Sequence, residues 1–438
     1  MKTKIILIFL LAGMNLFAQE KENWNLTDCI IYALEQNIQV RQSILTNLRN
    51  QVNKEQAEAN KLPSVSASVR QNFSWSNTEG LTTGDSEFTG NNSSSYSVSS
   101  SLTLYNGSRL NNLIEQAELD MQTGFYDSET IKESVTISIL NAYLQVLFTA
   151  EQVKNAGRQI ESTTEQLNLA KERLNLGIIS QSDYLQVKSQ LASEKLSLAN
   201  ANSQHAIARV NLMQLMELPV SDGFSIVDPD LGESVNQNLT PLAAEVYAIA
   251  MEIKPQIKSA EYSKESAALN KKIAEAGYYP TISAEAGLGT GYSNLSEAGY
   301  FSQLNDQISP SVGFSLSIPV FQKKQVKTNV SLAEINYQNA ELQEIDTKNQ
   351  LRKEIEQVCV DVVSAQTEYE ASLEQYNSTL ESYNLAEEKF KNGLINSVDF
   401  LYERTNYILA ESELLQSKYN LIFSYKILDF YTGNPITL

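Results

Sequence analysis

Residues 165–185 read EQLNLAKERLNLGIISQSDYL, and residues 381–401 read ESYNLAEEKFKNGLINSVDFL. Glu165, Asn168, Leu169, Ala170, Glu172, Gly177, Ile179, Asp183 and Leu185 recur as Glu381, Asn384, Leu385, Ala386, Glu388, Gly393, Ile395, Asp399 and Leu401, at a constant offset of 216. Upstream, Ala57-Glu58-Ala59 before Pro63 recurs as Ala274-Glu275-Ala276 before Pro280, and Ala33 with Glu35 recurs as Ala250 with Glu252, here at an offset of 217. One residue of slippage over most of a half-chain marks a tandem duplication, because chance likeness between helices does not hold register through turns. The repeats are placed at 19–219 and 243–438. Between them, 220–242 carries Gly223, Asp228-Pro229-Asp230 and Gly232 and reads as a linker or a small peripheral subdomain.

Each quoted stretch describes a helix, a glycine and a second helix. A glycine just past the last turn is a C-cap signal, and Ser180 or Asn396 with an acid three residues on, Asp183 or Asp399, starts the next helix. Each is the tip of a helical hairpin. Toward the N-terminus of the first tip, residues 109–176 form an unbroken helical stretch on the order of 100 Å long at 1.5 Å per residue. Ile139, Tyr143, Val146, Ala150, Val153, Ile160, Leu167 and Leu174 follow steps of four and three that sum to seven. Ile355, Cys359, Val362, Tyr369, Leu373, Tyr376, Leu380, Tyr383 and Phe390 do the same in the second copy. Heptad seams of this kind pack long helices side by side.

Farther out the period changes to two. Val65, Ala67, Val69, Phe73 and Trp75 alternate with polar residues, as do Tyr96, Val98, Leu102 and Leu104. In the second copy Ile282, Ala284, Ala286 and Leu288 alternate, then Val312, Phe314, Leu316, Ile318 and Val320. The expected strands are about 64–75, 96–105, 281–292 and 309–321, with 76–95 and 293–307 as surface loops. Before them, residues 26–61 read as one helix capped by Thr27 or Asp28 and stopped by Pro63.

Strands of about ten residues with one apolar face suit a transmembrane barrel, with Phe73, Trp75, Tyr105, Tyr292 and Phe321 at the girdle; a soluble hairpin on a helix is the alternative. Four strands cannot close a barrel, and an open edge in lipid leaves backbone groups unpaired, so membrane strands require self-association. Three copies would supply twelve strands.

The N-terminus agrees. Lys2 and Lys4, the apolar run from Ile5 to Leu11, and a small residue at Ala18 read as a secretory signal peptide over 1–18. The formal charge of −19 becomes −21 without Lys2 and Lys4, which disfavours nucleic acid as a partner. His205 is the sole histidine, and Cys29 and Cys359 are the two cysteines, so a histidine-centred metal site or dyad is excluded and no disulfide is indicated. The glycines of Gly287-Leu288-Gly289-Thr290-Gly291 fall on an expected strand and do not open a helix, so they are not a dinucleotide loop. No constellation supports an enzyme, and no cofactor is implied.

The duplicated order of helix, strand pair, long helix, glycine turn and returning helix resembles the TolC family of outer-membrane efflux ducts over essentially the whole chain after residue 18. The resemblance implies an α+β membrane protein and a homotrimer with a twelve-stranded outer-membrane β-barrel continued by a long α-helical barrel in the periplasm. It also implies a passive exit duct for small molecules or proteins in a tripartite efflux or type I secretion system. The partners would be a periplasmic adaptor, a proton-driven or ABC-type inner-membrane pump, and outer-membrane lipid. Leu176, Gly177, Ile178, Gly393, Leu394 and Ile395 would be adaptor-docking tips, and Asp183, Asp399, Phe390 and Tyr402 the periplasmic aperture. Phe390, Ile395 and Tyr402 stand where the family's best-studied pattern has a tyrosine, an arginine and an acid. A periplasmic coiled-coil scaffold is the competing reading.

The two readings separate on fractionation. The duct is expected in outer-membrane fractions as a trimer that resists heating in detergent; a soluble periplasmic monomer would decide for the scaffold.

Overall fold

A computed structural model describes residues 23–79, 86–221, 223–227 and 242–434. The expected signal peptide and most of the expected linker lie outside the described residues. In chain order the elements are β1 (Asn23–Trp24), α1 (Leu26–Gln36), α2 (Ile38–Ala59), β2 (Ser64–Glu79), β3 (Ser86–Tyr105), α3 (Arg109–Asn175), α4 (Gln181–Leu215) and β4 (Ser225–Ile226). There follow α5 (Ala243–Ile253), α6 (Pro255–Glu275), β5 (Thr281–Ser293), α7 (Tyr300–Asp306), β6 (Ser309–Ser317), α8 (Gln325–Lys391) and α9 (Ser397–Tyr431). They divide into a helical unit (residues 1–43, 128–254 and 348–438) and a unit holding the four-stranded sheet (44–127 and 255–347). No described helix is long and apolar enough to cross a membrane.

In the helical unit the heptad seams form the core. Ile139, Tyr143, Val146, Ile355 and Val362 are almost fully buried, together with Leu212, Met213, Leu351 and Leu421. Each such side chain contributes roughly 1.5–3 kcal/mol of apolar burial. Where helices approach closely the seam turns to serine, with buried hydroxyl pairs Ser43–Ser128 at 2.9 Å and Ser372–Ser417 at 2.5 Å. Cys29 and Cys359 are both buried and unbridged, small residues of the core. The described end of the linker is ordered by pairing: β4 lies parallel to β1, and the Tyr143 hydroxyl donates to the Val227 carbonyl at 2.6 Å.

The segment expected as one helix over 26–61 is two. Asn37 breaks it because its side chain competes for backbone groups: Oδ1 accepts from Gln39 N at 2.9 Å, and Nδ2 donates to the Leu215 carbonyl at 3.0 Å. The first N-cap is Asn25, neither Thr27 nor Asp28, and it accepts from Asp28 N at 2.8 Å. The second copy breaks at the matching place by other means. Pro255 forces Lys254 out of the helical region, to φ −73 and ψ 124. The buried Lys254 ammonium then reaches Glu133 at 3.2 Å and the Phe430 carbonyl at 3.0 Å.

In the sheet unit the order is β2-β3-β5-β6, antiparallel throughout, so the central pairing joins a strand of each half-chain. The first two strands are longer than expected, pairing from Ser64↔Ser101 to Glu79↔Ser86. Much of 76–95 is therefore strand, because its polar side chains satisfy one another across the ladder; Gln71, for example, bonds both Ser94 and Asn92. The last strand is shorter than expected and stops at Ser317, since Pro319 has no N–H and holds Ile318 off the ladder. Phe321 thus lies in the connection to α8 and is 83% exposed. The stretch 293–307, expected as a loop, contains the short helix α7.

Strand alternation sorts the sheet into two faces. One carries Ser66, Ser99, Gly287 and Ser311 in a single row and Ser68, Ser97, Gly289 and Ser309 in the next. Hydroxyls pair along it, Ser66–Ser99 at 3.0 Å and Ser68–Ser97 at 2.8 Å. The glycine run of β5 is a close-approach feature of this face. A Cβ on Gly287 would stand 2.9 Å from Ser311 Oγ, and one on Gly291 3.0 Å from the Ser94 carbonyl. The opposite face carries Val65, Val69, Val98, Leu288, Val312 and Phe314, all exposed.

Replacing Asn37 with Ala removes its cap and its bond to Leu215, and is expected to cost about 1–2 kcal/mol. The readout is a lower thermal midpoint of the helical signal in detergent, with Asn37→Asp, which keeps the acceptor, recovering part of it.

Candidate functional site

The two hairpin tips are built by the same local chemistry. At the first, Ile178 N donates to the Arg173 carbonyl at 2.9 Å and Gly177 N to the Leu174 carbonyl at 2.9 Å. At the second, Leu394 N donates to the Lys389 carbonyl at 2.8 Å and Gly393 N to the Phe390 carbonyl at 3.1 Å. This is the Schellman arrangement, which needs a left-handed residue, and both glycines sit at φ +70. The returning helices are capped as expected. Ser180 and Asp183 form a reciprocal capping box, with Ser180 N donating to the Asp183 carboxylate at 3.0 Å and Asp183 N to the Ser180 hydroxyl at 3.2 Å. Asn396 accepts from Asp399 N at 2.9 Å.

The motif turns apolar side chains outward at each tip. Leu176, Ile178 and Leu394 are 74%, 66% and 73% exposed. Burying such side chains would remove apolar surface from water. Ile395 is half-buried, while Asp399 and Tyr402 are exposed on the first two turns of α9.

Between the tips lies a cleft of about 490 Å³, lined among others by Arg173, Ile178, Asp183, Phe390, Gly393 and Ile395. The structure thus brings Asp183 and Phe390 to one cavity, and Asp399, Leu176, Leu394 and Tyr402 are not among its lining residues. Phe390 is held by an aromatic seam. Its ring stacks on Phe400 at 4.7 Å, with Tyr383, Tyr407 and Tyr376 continuing the contacts between α8 and α9. The Arg173 guanidinium lies 5.3 Å from the Phe390 ring centre and donates to the Lys391 carbonyl, tying the first tip to the second. Burial raises the Tyr383 and Tyr407 phenols above their ordinary range.

Sequence reasoning missed the polar cluster behind the cleft. Arg404 of α9, 4% exposed, lies 3.3 Å from Glu194 of α4 and donates to Thr163 Oγ1 at 2.5 Å and the Gln159 carbonyl at 3.0 Å, both on α3. Thr163 and Gln190 donate to the other side of the network, at Glu194 Oε2 and Oε1. The available signal was a charge in a seam: Glu194 continues Val187 and Leu191, and Arg404 follows Phe400 and Leu401. Loss of either member alone would leave an uncompensated buried charge. The expected girdle residues Phe73, Trp75 and Tyr105 belong to the sheet unit, on β2 and β3, and are exposed. Among the described residues no cluster of histidine, cysteine and acids is arranged for a metal.

The sequence pattern described as outer membrane efflux protein matches residues 30–217 and 246–434. An uncharacterized protein of Haemophilus influenzae is 22% identical over 246 residues, 56% of this chain and 52% of that one; the chain spans about half the length of this curated relative. Among solved structures, a membrane protein from Pseudomonas aeruginosa superposes with a TM-score of 0.79 at 18% identity, covering 95% of this chain and 91% of the other. The outer membrane protein VceC of Vibrio cholerae gives 0.76 at 18% identity, covering 94% and 96%. The Campylobacter jejuni CmeC outer membrane channel gives 0.76 at 18%, covering 95% and 87%. These likenesses establish the fold.

Arg404→Met strands Glu194 as an uncompensated buried charge and is expected to cost about 3–5 kcal/mol, whereas Arg404→Met combined with Glu194→Met restores most of the loss. Thermal unfolding followed by far-UV circular dichroism in detergent reads both.

Proposed function

Because the chain belongs to the outer membrane efflux protein family, a family of outer-membrane channels that extend into the periplasm, we propose that it is the passive exit duct of a tripartite export system. The supporting observation is the four-stranded sheet with an exposed apolar face, a hydroxyl-rich opposite face, and two strands, β2 and β6, at its edges. In lipid, both the face and the edges are satisfied if copies join edge to edge into a closed barrel. Three copies make twelve strands, the even number such barrels require. The serine and glycine rows then line the water-filled side, where hydroxyls hydrate a passing solute without binding it tightly.

The hairpin tips supply the docking and aperture surfaces. Leu176, Gly177, Ile178, Gly393, Leu394 and Ile395 are the docking surface for a periplasmic adaptor, which buries the apolar side chains. Asp183, Asp399, Phe390 and Tyr402 make the aperture. Repeated by the trimer, the two aspartates become acidic rings that attract cations at the mouth. Arg173, reaching Phe390 and Lys391, and Arg404, bonded to Glu194, hold the second hairpin against the first, and the exposed Tyr402 supplies an uncharged contact beside Asp399. The energy for transport comes from an inner-membrane partner, either a proton-driven or an ABC-type pump, and the cargo is small molecules or proteins.

Purified protein in planar bilayers is expected to show single-channel conductance with cation preference, and Asp183→Asn with Asp399→Asn to weaken that preference and block by multivalent cations. Monomers in detergent with no conductance would overturn the duct; conductance with unchanged selectivity would return both aspartates to helix capping alone.

A further inference from the structure

Strand β5 outruns its neighbour. It pairs with β6 as far as Gly289↔Ser309, yet continues to Ser293, with β3 on its other side throughout. Helix α7 occupies the side that β6 leaves. Gln303, 2% exposed, donates from Nε2 to the Ser293 carbonyl at 3.0 Å and accepts from Ser293 N at Oε1 at 2.9 Å, the paired exchange that a neighbouring strand would make. Its Nε2 also reaches the Ala298 carbonyl at 2.6 Å, and Thr290 Oγ1 donates to the Leu304 carbonyl at 2.5 Å. Helix α7 is therefore clamped to the sheet, and the clamp removes bare backbone groups that would be costly at a membrane.

The helix also adds to one face. Strand alternation puts Tyr96, Thr290 and Tyr292 on the apolar face with Val98 and Leu288. The Tyr300 hydroxyl bonds that of Tyr96 at 2.6 Å, its ring lies 4.9 Å from Tyr292 and 5.4 Å from Phe301, and Phe301 is 82% exposed. Register sets this cluster at the strand ends that carry Phe73 and Trp75, since Phe73 faces Asn92 and Asn92 N bonds Asn294. The opposite ends carry Tyr105, paired with Ile282. From Ile282 to Tyr292 a strand runs about 34 Å, or roughly 26 Å across a bilayer at a tilt near 40°, close to the ~25 Å apolar band of outer-membrane barrels.

We propose that α7 is a membrane-interface anchor: it lies on the lipid-facing side of the sheet, with Tyr300 and Phe301 among the headgroups and upper acyl chains of the outer leaflet. Amphipathic rings are favoured at that depth, and a rigid clamp positions them without a long loop. This reading rests on the barrel proposed above, and the test separates the two.

The trimer is reconstituted into phospholipid vesicles with a nitroxide on Phe301→Cys, Val312→Cys or Leu394→Cys in turn; the native cysteines are buried and unbridged. Collision rates with oxygen, which concentrates in the bilayer, and with an aqueous nickel chelate report depth. The oxygen-to-nickel ratio at Phe301 is expected to lie several-fold above that at Leu394 and below that at Val312, while a label on Ser302→Cys, one residue on, is expected to favour nickel more than Phe301 does. A lipid-like Val312 with a fully aqueous Phe301 would overturn the anchor and leave the barrel standing. An aqueous Val312 would overturn both.

Discussion

Among the described residues, strands β2 and β6 each have a hydrogen-bonded neighbouring strand on one side only. A row of unpaired N–H and C=O groups is tolerable in water and prohibitive in hydrocarbon, where each costs several kcal/mol. The same sheet exposes Val69, Val312 and Phe314 on one face, which lipid accommodates and water does not. The barrel proposed here, completed by further copies, satisfies both the edges and the face. In the proposed duct, self-association is a consequence of backbone chemistry.

The helical unit meets a different demand, holding two hairpins in register along their length. Apolar burial at Ile139, Tyr143, Ile355 and Val362 supplies attraction, but apolar contact alone permits sliding. Polar groups meet across the seams at defined places: the serine pairs, and Arg404 bonded to Glu194, Thr163 and the Gln159 carbonyl. The hairpins are not chemically alike. Leu174 and Leu191 of the first stand where the second has Phe390 and Tyr407, so an aliphatic seam faces its aromatic counterpart. Arg173 exploits that difference by lying on the Phe390 ring, a contact for which an aliphatic side chain offers no quadrupole.

The sheet solves its local problems with side chains that imitate backbone. Serine hydroxyls pair across β2 and β3, and Gln303 offers its carboxamide to Ser293 where β6 has ended. These devices permit a strand pair to be polar on one face and nevertheless ordered, and a short helix to stand in for a missing strand.

Much of this was legible in the chain. The duplication, the glycine tips and their caps follow from local rules, because a helix end recruits its partners from within a few residues. The seams and the strand faces follow from period alone. Other features were not legible. Residues 76–95 look like a loop and are largely strand, since serine and asparagine have partners only once the neighbouring strand is in place. Residues 293–307 hide a helix whose reason to form is a bare edge of β5, and Asn37 breaks a helix in part to bond Leu215, 178 residues away. Arg404 and Glu194 meet across the two halves of the chain. The sequence by itself determined the long helices, the four strands and the glycine hairpin turns and that the chain is written twice, because period and capping are local. Only the tertiary structure decided which polar groups pair, because those partners are distant in sequence and a buried charge or a bare amide is stable only where the fold brings its complement.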